Sequence, residues 1–202
     1  MDKSLLWGII AQCFTSVAGV LYLIRTFQGI NKPNLISWII WSFIGWAFFL
    51  VTVNNPEADK ITKIFSVILA VSPTSIAFVA LKKGTIESVS REDIFAVCIA
   101  LVAMVVWFYK KDEPGIIPVL LAILADICAL IPTLRFVYGN PADDRPGAWF
   151  AFSFGSLLTL LSLQKWNPES YLLPMYMGFA SLLVVYPLFV YRIRNKITDE
   201  WI

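Results

Sequence analysis

An aspartate at position 126 stands ten residues into an uncharged apolar run, Ile116 to Leu134, and it is the one ionisable side chain placed deep in any such run. A lone carboxylate in hydrocarbon is costly, so it faces a protein interior or takes up a proton. It can serve as a proton acceptor, a cation ligand or an acceptor for a substrate hydroxyl. A structural hydrogen bond to a Ser or Thr of a neighbouring helix is the alternative. Trp38 and Trp41 lie three residues apart, with Ser37 and Ser42 beside them; Trp149, Phe152 and Ser153 repeat the pattern. On helices each set shares a face, so two aromatic walls could hold a flat or sugar-like ligand by stacking, the serines adding hydrogen bonds. An interfacial aromatic belt is the competing role, above all for Trp38 and Trp149 near their helix starts. Gln12, Thr15 and Ser16 fall at the depth of Asp126 and can line an opposite wall, or serve as small polar contacts between helices.

The elements that position these residues follow from composition. The chain has 202 residues, 58% hydrophobic and 15% charged, with no histidine, and its mean hydropathy is +0.73. A soluble domain carries more charge. Seven apolar segments are marked as helices: Leu5 to Ile24, Leu35 to Val53, Ile64 to Leu81, Ile94 to Tyr109, Ile116 to Leu134, Ala148 to Leu163 and Tyr171 to Tyr191. The fourth and sixth fall short of the roughly 20 residues that cross a hydrocarbon core, and flanking amphipathic residues extend them. The first run is too long for a signal-peptide core and is expected to be retained. Cys13, Cys98 and Cys128 sit in three different runs and read as core thiols.

The second half of the chain repeats the first. Arg25-x3-Gly29, the Trp38/Trp41/Ser42 cluster and Asn55-Pro56-Glu57 return as Arg135-x3-Gly139, Trp149/Phe152/Ser153 and Asn167-Pro168-Glu169. The offset rises slowly, from 110 to 111 to 112 residues. The pattern predicts an all-α membrane protein of seven transmembrane helices in a 3+1+3 plan: residues 1–83 form one three-helix repeat, 84–113 a linker helix, and 114–202 a second repeat with a short tail. Four spans separate matching helices, so the repeats are parallel and enclose a central site. Pro73 and Pro187 lie inside helices, where a missing N–H makes a hinge or a static kink. Arg25 and Arg135 either anchor helix ends or pair with Asp143 and Asp144 as a gate. The two Asn-Pro-Glu triplets read as helix caps.

Basic residues divide unevenly between the two sides. Lys3, Lys60, Lys63, Lys110, Lys111 and Lys165 lie on the N-terminal side; Arg25, Lys32, Lys82, Lys83, Arg91, Arg135, Arg145, Arg192, Arg194 and Lys196 lie on the other. The positive-inside rule then places the N-terminus outside and the C-terminus in the cytoplasm.

The seven-helix duplication resembles the PQ-loop and SWEET-like transporters, including bacterial nicotinamide riboside transporters. Pro132-Thr133 followed by Arg135 looks like the proline-centred dipeptide of PQ-loop proteins, with Tyr22-Leu23 at the matching place in the first repeat. The stretch from Arg25 through Pro33, Ser37 and Trp38 to Trp41, with an Asp126, Pro132, Thr133, Arg135 element, is similar to uncharacterised bacterial members. The resemblance implies a bacterial cytoplasmic-membrane carrier of a small polar solute, with an aromatic pair and amides or carboxylates holding the cargo, and a hinge at Pro132.

These readings favour an alternating-access facilitator or proton-linked carrier of a sugar, nucleoside or vitamin. A receptor or sorting protein on the same fold is the alternative. The expected partners are the lipid bilayer and a small-molecule substrate, with a homo-oligomer open. No enzyme is expected, because no His, second deep acid or metal-ligand spacing is present to assemble acid-base chemistry. No cofactor is expected, and no basic-aromatic surface points to nucleic acid.

Overall fold

In lipid each backbone polar group must find its partner within the protein, and long runs of Leu, Ile, Val, Ala and Phe therefore settle as helices. The computed structural model describes residues 3–54, 60–83, 90–110, 116–197 and 201, and the regular structure among them is entirely helical. The helices are α1 (Lys3–Phe27), α2 (Leu35–Asn54), α3 (Lys60–Lys83), α4 (Arg91–Lys110), α5 (Ile117–Gly139), α6 (Pro146–Thr159) and α7 (Pro168–Arg194). Short 3-10 turns, Pro141–Asp143 and Leu160–Ser162, precede and extend α6. Among the described residues, six helices are long and apolar enough to cross a membrane. The sixth expected span is shorter: 14 α-helical residues plus a three-residue 3-10 turn, reaching roughly 27 Å. By contrast α4 reaches 20 residues, because its polar ends, Arg91 and Lys110, join the helix.

Helix ends follow local chemistry. Ser90 and Asp93 cap α4 reciprocally, each backbone N–H donating to the other's side chain at 2.9 and 3.1 Å. Asn34 accepts from the Ser37 N–H at the start of α2, and Asn167 accepts from the Ser170 N–H at the start of α7, beside Pro168 in the first turn. The earlier triplet, 55–57, lies outside the described residues. Gly29, at φ +77°, ends α1 in a Schellman turn: its N–H reaches the Thr26 carbonyl and the Ile30 N–H reaches that of Arg25. Its sequence counterpart, Gly139, is the last residue of α5 and does not share the positive φ.

α3 packs on both α1 and α2, and α7 on both α5 and α6. α1 also packs on α6, α2 on α5, and α4 on α5 with an edge on α2. Large apolar side chains cover the outer surface; Phe95 is 68% exposed and Val102 64%, as suits an integral membrane protein. Of the cysteines expected in the core, only Cys128 is buried; Cys13 and Cys98 are exposed on the outer face. A lipid-facing position is as apolar as the interior, so hydropathy does not separate the two.

The α2–α3 contact is close because Gly45 has no side chain: a Cβ there would collide with the Leu69 carbonyl and lie 2.9 Å from the Ala70 Cα. That carbonyl lacks its usual helical donor, since residue 73 is Pro. Small residues at such a seam allow backbones to approach. Gly45→Ala should therefore cost about 1–3 kcal/mol by overpacking, read as a lower melting temperature in detergent. Gly139→Ala, with no atom within 4 Å of the added carbon, should melt like wild type.

Candidate functional site

Asp126 is held by two donors from two other helices. The Trp41 indole Nε1 of α2 donates to Oδ1 at 2.9 Å, and the Tyr176 hydroxyl of α7 donates to Oδ2 at 2.8 Å. Since α2 and α7 both pack on α5, the carboxylate stands where three helices meet. Tyr176 escaped the sequence reading; its only signal was a phenol in the middle of an apolar run, whose polar tip needs a partner when buried.

Asp126 opens onto a central cavity of about 380 Å³. Trp38, Trp41, Trp149 and Phe152 line it from α2 and α6, Gln12 and Thr15 from α1, and Pro73 and Pro174 from α3 and α7. Asp126 is its one formally charged lining residue among those described. Trp38 and Trp149 turn inward, 9% and 7% exposed, rather than standing in an outer belt. Their rings are 6.1 Å apart, with Trp41 at 5.1 Å from Trp38 and 5.9 Å from Trp149.

Three of the serines singled out, two beside the aromatic residues and one on α1, are placed elsewhere. Ser42 donates to the Trp38 carbonyl at 2.6 Å and Ser153 to the Gly178 carbonyl at 2.8 Å. Ser16 is not among the lining residues: the α1 face that fronts the cavity is centred on Thr15, and the next residue is turned away by about 100°. Of the expected hinges, Pro73 touches the cavity, whereas Pro132 is buried within α5 and Pro187 lies further along α7. Thr133 is buried beside Pro132.

Beneath the aromatic rings, the bundle end that carries the α1–α2 and α5–α6 connections is closed around Asp144, which is 1% exposed. The Tyr22 hydroxyl donates to its Oδ2 at 2.8 Å and the Trp149 Nε1 to the same oxygen at 3.2 Å, while the Arg145 N–H donates to Oδ1 at 2.6 Å. Arg192, fully buried, donates to the Asp144 backbone carbonyl at 2.6 Å and to those of Leu188 and Pro141. The expected gate pairs of Arg25 and Arg135 with Asp143 and Asp144 do not form. Asp143 instead meets Lys32 at 2.8 Å, Arg135 reaches Asp93 at 3.0 Å and Ser90, and Arg25 donates to Gln28. The helix-end positions of both arginines direct them to the nearest acceptor, and the buried seat beside Asp144 is taken by Tyr22, Trp149 and Arg192.

Burial pushes the Asp144 carboxyl up to about 6, against the opposing pull of the Tyr22, Arg145 and Trp149 hydrogen bonds and the Arg192 charge. Because the folded value lies above the unfolded one, the native state binds a proton that the unfolded chain does not between about pH 4 and 6. Stability is thus gained as pH falls through that window and lost as pH rises through it. The melting temperature should climb by roughly 5 °C on going from pH 7 to 4.5, and Asp144→Asn should flatten that slope in the same thermal scans. No protein-family model, curated protein or solved structure matches the chain.

Proposed function

We propose that the chain is a small-molecule membrane transporter that works by alternating access, as a facilitator or a proton-linked carrier of a small polar solute. The observation that carries this reading is the central cavity, whose one formally charged lining residue among those described, Asp126, is tethered by Trp41 and Tyr176. About 380 Å³ suits a small ligand rather than a folded peptide, and intramembrane ionisable residues mark substrate or ion paths.

The proposed architecture is two parallel three-helix repeats joined by α4, related to the PQ-loop and SWEET-like plan. Its support is the neighbour pattern: α3 has α1 and α2 on either side as α7 has α5 and α6, and the α1–α6 and α2–α5 contacts exchange under a two-fold axis. In this plan α6 also spans, which brings the count to seven, and the surplus of basic residues puts the closed Asp144 end in the cytoplasm. Access from that end requires Tyr22 and Trp149 to leave Asp144.

Thermal stabilisation of the purified protein by a panel of sugars, nucleosides, vitamins and amino acids tests the binding step, followed by counterflow of any hit in reconstituted vesicles. A solute that raises the wild-type melting temperature, and is exchanged by wild-type vesicles, should lose both effects in Asp126→Asn and Trp41→Ala. If nothing shifts the wild type while Asp126→Asn alone melts far lower, Asp126 is structural and the transporter reading fails.

A further inference from the structure

The charge of the cavity wall constrains what it can hold. The Trp41 N–H and the Tyr176 O–H are both spent on Asp126. The hydroxyls of Thr15, Thr159 and Ser181, which line the same cavity, are spent on their own helices: they donate to the carbonyls of Gln12 at 3.0 Å, Gly155 at 3.2 Å and Met177 at 2.8 Å. The walls also carry the indole N–H groups of Trp38 and Trp107 and the Gln12 amide, so what distinguishes the cavity is charge: among the described lining residues Asp126 alone is formally charged. Each Asp126 oxygen accepts one bond and has a further lone pair to offer, and each hydroxyl oxygen can still accept.

A carboxylate or phosphate is repelled by Asp126, and a sugar leaves the charge of Asp126 uncompensated. An ammonium needs only acceptors. Aromatic faces add to that preference: Trp41, whose Nε1 is 2.9 Å from Asp126 Oδ1, stands 5.9 Å from Trp149 between ring centres, and the negative face of an indole attracts a cation within about 6 Å. A cation next to Asp126 also neutralises the charge of the carboxylate, which offsets the desolvation of both.

We propose that the occupant of the cavity is a protonated amine carried on a small, flat apolar body, its ammonium on Asp126 and its body against the indoles of Trp41 and Trp149. This rests on reading the cavity as a transporter's substrate site, and it narrows the cargo to organic cations.

The test uses ligands that share one skeleton and differ in charge: 2-phenylethylamine, the uncharged 2-phenylethanol and the anionic 3-phenylpropionate, with tryptamine as a larger amine. They are measured by thermal shift and calorimetry on the full chain in detergent, alongside glucose and uridine. Wild type should bind the amines and be stabilised by them, while the alcohol and the acid bind at least ten-fold more weakly. Asp126→Asn should weaken amine binding by ten-fold or more, and Trp149→Leu should weaken tryptamine more than 2-phenylethylamine. The comparison of amine with alcohol needs only wild-type protein, so it decides the matter even where a variant does not fold. Equal binding of the alcohol, or undiminished amine binding by folded Asp126→Asn, overturns the proposal. Stabilisation by glucose or uridine with no response to amines overturns it too, yet leaves the small-solute carrier standing. Silence from every amine and every solute in the broader panel, with no counterflow, overturns both.

Discussion

A carboxylate inside an apolar helix bundle has to be met by donors, and the bond pair from Trp41 and Tyr176 to Asp126 is the constraint around which the rest is arranged. In the absence of water each unmade bond of a buried ion costs several kcal/mol. Meeting the demand brings one side chain of α2 and one of α7 to a single point on α5. With its indole tip drawn to the carboxylate, the Trp41 ring stands as a wall of the cavity. The cavity follows from that, since apolar side chains cannot close over an ion that must keep its polar partners.

Beneath this centre a second polar cluster seals one end. Tyr22 and Trp149 belong to both: their rings line the cavity while their polar atoms bind Asp144. Tyr22 comes from α1 and Trp149 from α6, helices that pack on each other, while Arg192 of α7 fastens the Asp144 backbone from the other side. A ligand that displaces either ring also moves a donor of Asp144. This is a physical link between occupancy of the cavity and closure of the bundle end, made of two side chains with two tasks each.

How much of this was legible in the sequence depends on what kind of signal each residue gives. Asp126 was legible because a charge in an apolar run has no other explanation, and Trp41, Trp38, Trp149 and Phe152 because a helical spacing occurs twice. Tyr176 was not, since one phenol among seven tyrosines carries no mark of its partner. Asp144 and Arg192 were hidden because charges near helix ends ordinarily reach for water or headgroups; only tertiary packing shows that this Asp and Arg are buried. The serines misled for another reason. A hydroxyl on a helix can turn to its own backbone carbonyl, as Ser42 does, and nothing in residue spacing records that rotamer. Helix existence was readable from hydropathy throughout. The length of α6 was not, because its end is set by a 3-10 turn at Leu160–Ser162 that an apolar Leu-Leu-Ser stretch does not announce.

The most direct test of the central interaction is a double-mutant cycle between Tyr176→Phe and Asp126→Asn, read as unfolding free energy of the purified protein in detergent. Tyr176→Phe removes the donor and Asp126→Asn removes the charge it meets, so their effects should be coupled by about 1 kcal/mol or more, the double variant losing clearly less than the two single losses combined. Effects that add to within about 0.3 kcal/mol would mean that the phenol and the carboxylate do not hold each other, and the polar centre proposed for the cavity would not exist.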